Sequence, residues 1–108
     1  MEVSSQILNK RVVGIYHNYI DQSLRLSLDD KTDIFFYGCA IVFDLGIIGH
    51  KVSFVSSTGT LGITFELKKM NKNPEDYKYI ILSRDIKDIE NKNELLVSYH
   101  QLEVKSPS

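Results

Sequence analysis

Ile34-Phe35-Phe36-Tyr37-Gly38-Cys39-Ala40-Ile41-Val42-Phe43 is the strongest hydrophobic run of the chain, and its reading decides the fold. Apolar residues fall on both parities, so an extended segment here is apolar on both sides. Two arrangements satisfy that pattern. One is a strand buried on both faces; the other is a long strand that bends at Gly38 and changes partner. The small trio Gly38-Cys39-Ala40 marks a bulge or a close backbone approach. Either way the run is β, and the composition around it agrees. The chain of 108 residues has a single alanine, Ala40, against 24 Val, Ile and Thr and 11 Tyr and Phe. Alanine is the strongest helix former, whereas β-branched and aromatic side chains suit a pleated, half-buried surface.

Outward from this run the same signals repeat. Residues 11–20 form an apolar segment that closes through Asp21-Gln22 onto residues 23–29. There Leu24, Leu26 and Leu28 face one way and Ser23, Arg25 and Ser27 the other. Asp29-Asp30-Lys31-Thr32 has turn chemistry, because short polar side chains bond their own backbone. On the other side, Leu45 to Gly49 is an apolar loop bracketed by Gly46 and Gly49. Residues 50–56 and 61–68 are the next expected strands. In the latter, Leu61, Ile63, Phe65 and Leu67 point inward and Gly62, Thr64, Glu66 and Lys68 outward. Residues 77–83 and 95–104 complete the set, the last with a bulge after Tyr99. Between them, Ile86 and Ile89 suggest one helical turn, and residues 1–10 a short arm or helical turn. The expectation is one all-β domain over residues 1–108. It has about seven mostly antiparallel strands in a compact sandwich or partly closed barrel, since no crossover helix is long enough to build parallel units.

Composition excludes several functions. Thirteen basic and fourteen acidic residues leave a net charge of −1, so no global excess draws the chain to nucleic acid or an anionic membrane. The one basic cluster, Lys68, Lys69 and Lys72, is balanced by acidic stretches elsewhere. No run reaches the roughly 18 apolar residues of a membrane span. The first ten residues lack the basic and apolar regions of a secretory signal, and Cys39 has no internal disulfide partner. A cytoplasmic protein is expected.

The chemistry-bearing residues are sparse. Cys39 sits in an apolar run and reads as a small buried residue rather than a nucleophile. His17, His50 and His100 lie on separate segments, with no pair at metal-ligand spacing. Gly46-x-x-Gly49 and Gly59-x-x-Gly62 do not open helices, so neither cradles a phosphate. No catalytic residue, metal or cofactor is expected. An enzyme reading would need His50 or His100 beside a carboxylate in a cleft. Charge, in contrast, is polarised: residues 21–49 carry Asp21, Asp29, Asp30, Asp33 and Asp44 against Arg25 and Lys31. An acidic edge of this kind steers a basic protein partner. Asp29, Asp30 and Asp33 are the expected rim of such an interface, and Tyr16, Tyr19 and Tyr37 its expected aromatic anchors. The oligomeric state is left open. The alternative is a small-ligand-binding or accessory β-barrel module with an apolar cavity.

The order of features resembles small bacterial immunity proteins of polymorphic toxin systems, including contact-dependent inhibition. The resemblance rests on four features: the strand pair Val12 to Leu28, the run Phe36 to Asp44, the following Gly46-x-x-Gly49, and the closing segment Leu95 to Leu102. It implies a cytoplasmic, non-catalytic domain that binds a cognate toxin domain and blocks its active site or substrate groove. Basic nucleases are frequent partners of that kind.

Overall fold

The computed structural model describes residues 3–57, 61–84 and 93–106. Among these residues, eight strands form two four-stranded antiparallel sheets, not closed into a barrel. In chain order they are β1 (Val12–Asn18), β2 (Ser23–Leu28), β3 (Asp33–Tyr37), β4 (Ile41–Asp44), β5 (Phe54–Ser56), β6 (Lys78–Ser83), β7 (Glu94–Tyr99) and β8 (Gln101–Lys105). Sheet 1 runs β1-β2-β3-β8 and sheet 2 runs β4-β7-β6-β5. A five-residue helix, α1 (Val3–Ile7), and a nine-residue helix, α2 (Leu61–Lys69), complete the regular structure with a 3₁₀ turn at Pro74–Asp76. The fold is therefore the β sandwich of the two expected architectures, with a helix on one side.

Gly38 is where the hydrophobic run bends. β3 pairs with β8 through Tyr37↔Gln101, and β4 pairs with β7 through Ile41↔Ser98. Four residues advance on one side and three on the other, so the crossing holds one extra residue, a bulge at the corner between sheets. Gly38 takes φ +69 there, and a Cβ on it would sit 2.5 Å from His100 Nδ1. The orphaned amides of the corner are met by one serine. Ala40 N–H donates to the Ser98 carbonyl at 3.2 Å, and Ile41 N–H donates to Ser98 Oγ at 2.9 Å. Both ribbons thus change sheets together, and the expected single strand over 95–104 is two strands hinged at His100.

Pleating sorts the side chains between the layers. Leu24, Leu26, Ile34 and Phe36 of sheet 1 meet Val97, Ile80, Leu82 and Leu95 of sheet 2, all essentially buried. Phe36 and Tyr99 stack edge to face across this core at 5.1 Å.

The largest departure from expectation is α2. Residues 61–68 alternate like a strand but fold as a helix, because Ile63 and Leu67 also satisfy the i,i+4 spacing of a helical stripe. Both are buried against Ile41, Tyr77, Tyr79 and Leu96, on the outer face of sheet 2. Phe65, expected inside, is 62% exposed. The helix ends in a Schellman motif: Lys72 N–H donates to Leu67 O and Asn71 N–H to Lys68 O, with Asn71 at φ 60. The segment 50–56 is also only partly a strand. Its first half instead runs beside the start of β1, where Val52 exchanges backbone bonds with Asn9 and Lys10. The helical turn expected around Ile86 and Ile89 lies outside the described residues. Among the described residues, no helix is long and apolar enough to cross a membrane.

Candidate functional site

The outer face of sheet 1 is built by register. Reading across the strands, Gly14, Ser27, Asp33 and Lys105 form one row. Tyr16, Arg25, Phe35 and Glu103 form the next, and Tyr37 and Gln101 lie in the third. These residues point away from the core because their neighbours Leu24, Leu26, Ile34 and Phe36 point into it. The face is locked by its own contacts. Arg25 lies over the Tyr16 ring at 4.5 Å and Lys105 over Phe35 at 4.9 Å. Phe35 and Tyr37 stack at 6.5 Å, and the Tyr37 hydroxyl donates to Glu103 at 3.3 Å. Burial and the nearby Glu103 raise the Tyr37 phenol above its ordinary pKa. Tyr16 remains 55% and Tyr37 37% exposed.

The six expected interface residues are distributed along this sheet. Tyr16, Tyr37 and Asp33 lie on its outer face. Asp29 and Asp30 occupy the β2–β3 turn at one end, and Tyr19 the β1–β2 turn at the other. The acids are tied into local structure. Asp33 accepts from Ser27 Oγ at 2.7 Å, Asp29 accepts from Arg11 N–H at 3.3 Å, and Asp30 lies 3.2 Å from Lys10 Nζ. Desolvation raises the Asp30 pKa, but the Thr32 hydrogen bonds and Lys10 outweigh it, so the net shift is downward. Arg25, Phe35, Glu103 and Lys105 were not singled out by sequence reasoning. Arg25 was recognised as facing solvent, but only strand register brings it beside Phe35.

A cleft of about 350 Å³ opens at the Tyr19 end of the molecule. Its walls include His17 and Tyr19 of the first hairpin, Cys39 and Ala40 of the corner, Ile41 to Phe43 of β4, and Glu66 and Met70 at α2. A thiol, an imidazole and a carboxylate thus share one cleft. Among the described residues no hydrogen bond joins the three. Burial pushes the Cys39 thiol up from its ordinary value of 9.0 to about 11, the opposite of what an activated nucleophile needs. His17 is engaged by the Tyr19 ring at 4.0 Å, and Glu66 by Lys69 at 3.7 Å. His100 lies elsewhere, stacked on Tyr77 at 4.4 Å. Among the described residues no group of three His, Cys, Asp or Glu is placed to hold a metal ion.

Comparison with protein-family models, curated proteins and solved structures returns no match.

Proposed function

We propose that this chain is a non-enzymatic, cytoplasmic binding protein of the immunity type. It neutralises a cognate bacterial toxin domain by seating it on the outer face of sheet 1 and so blocking the toxin's active site. The observation that carries this reading is the face itself, which no element covers among the described residues. Tyr16, Tyr37 and Asp33, singled out for interface chemistry, lie together there among Arg25, Phe35, Glu103 and Lys105. Rings held by cation–π and stacking contacts lose little freedom on binding, which suits them as anchors. The face carries Arg25 and Lys105 against Asp33 and Glu103, a mixed pattern that fits a protein surface better than a phosphate backbone. Asp29 and Asp30 border it and would steer a basic partner, acting on the association rate more than on affinity. The protonated thiol of Cys39 supports the non-catalytic part of the reading.

Co-expression with the toxin domain encoded next to this gene tests the proposal. The native chain should restore growth and co-purify with the toxin. The double variant Tyr16→Ala/Tyr37→Ala should lose at least about tenfold in affinity while staying folded. Full protection by a folded double variant, or no complex with the native chain, would contradict it.

A further inference from the structure

The cleft beside the docking face has a composition that selects one kind of side chain. Among the described residues, Glu66 is the only carboxylate in its wall, and the wall contains neither lysine nor arginine. Four ring or thioether side chains, His17, Tyr19, Phe43 and Met70, share the wall with Gln22 and the small or aliphatic residues 39–42. A carboxylate offers only acceptors, and the faces of Tyr and Phe carry negative quadrupole density, so Glu66, Tyr19 and Phe43 together favour positive charge. Three rings elsewhere carry the molecule's own cations. Tyr16 carries Arg25, Phe35 carries Lys105, and Phe65 carries Lys69 at 5.4 Å. Among the described residues, no cation covers Tyr19 or Phe43. Both remain exposed, Phe43 at 41% and Tyr19 at 80% with the His17 ring against one side of it. Lys69 meets Glu66 from outside the wall while leaning on Phe65, so it does not fill the cleft.

We infer that this cleft is a cation subsite that receives an arginine side chain presented by the bound protein partner. A volume of about 350 Å³ lies at the small end of ligand sites, which suits one long side chain better than a nucleotide. Arginine fits better than lysine. Its planar guanidinium stacks on a ring while its forked N–H groups engage a carboxylate. Tyr19 belongs both to this wall and to the end of sheet 1, so a partner lying on the outer face can place a side chain here. The identity of the partner rests on the proposed function; the charge preference of the cleft does not.

The subsite is tested on the isolated full chain by titrating N-acetyl-arginine amide and following backbone amide shifts. Saturable shifts centred on Tyr19, Phe43, Glu66 and Met70 are expected, with a dissociation constant of about 1–10 mM. The uncharged citrulline analogue should produce none. Glu66→Gln should weaken the response about tenfold, and Phe43→Leu, which keeps bulk but removes the ring, should weaken it independently. An equal response to citrulline, an unchanged response in both variants, or no shifts at the cleft would overturn the inference. Since the probe is read without a partner, those failures leave docking on sheet 1 standing. Protection of the toxin by Tyr16→Ala/Tyr37→Ala would overturn the docking reading alone.

Discussion

The two sheets of this sandwich differ in what covers their outer faces. Sheet 2 turns Ile41, Leu96 and Tyr79 outward, and α2 buries them with Ile63 and Leu67. Sheet 1 turns Tyr16, Arg25, Phe35 and Tyr37 outward and holds them with contacts inside the sheet. The first face is mainly apolar and would be a liability in water, so the chain spends a helix on it. The second is amphipathic: rings tipped with hydroxyls and paired with cations tolerate solvent and remain available to another surface. One face therefore serves stability, and the other, among the described residues, has no element packed over it.

The comparison breaks most visibly by truncation. Leu67→Ala should cost about 2–4 kcal/mol in urea unfolding, since it empties a fully buried site under α2. Tyr16→Ala should cost less than about 1 kcal/mol, the scale of an exposed ring and its cation–π contact. Equal costs would mean that the face of sheet 1 is structural after all. The corner that joins the two sheets comes next. Gly38→Ala should destabilise by about 2 kcal/mol, from left-handed backbone strain and collision with the His100 ring. Adding His100→Ala should recover part of that loss; no recovery would place the whole cost in the backbone.

Cys39 sharpens the picture of the core end of the cleft. At pH 8 its alkylation by iodoacetamide should be at least about 100-fold slower in the native chain than in denaturant. Its folded pKa is raised, so its contribution to stability is full below pH 9.0 and is lost as pH climbs toward about 11. Cys39→Ala should flatten the stability curve in that window. The smallest effect belongs to the acidic turn. Lys10→Met should cost under about 0.5 kcal/mol, because both partners are more than a third exposed. That cost should disappear as acid protonates Asp30, whose lowered pKa makes its contribution present above 3.8 and lost on further acidification.

Much of this architecture was legible in the chain. The lone alanine, the alternation of Leu24, Leu26 and Leu28, and the break at Gly38 all pointed to antiparallel ribbons with a bend. The helix was not, because Ile63 and Leu67 belong to period two and to an i,i+4 stripe alike. The distinguishing residues came afterward: Lys68 and Lys69 in a last turn, Asn71 as a left-handed cap and Pro74 beyond it form a helix-stop signal. Missing the helix also hid the cleft, since Glu66 and Met70 reach it only from α2. The docking face was half legible. Tyr16, Tyr37 and Asp33 were chosen for their chemistry, but their meeting with Arg25, Phe35 and Glu103 depends on strand register, which one sequence does not encode locally.

Amide-shift mapping of the labelled chain, saturated with the toxin domain that the proposed function calls for, tests the division of labour most directly. The account predicts that the largest perturbations fall on Tyr16, Arg25, Phe35, Tyr37 and Glu103, with change on α2 confined to its cleft end near Glu66. A footprint on α2 and β5 that leaves sheet 1 silent would contradict it.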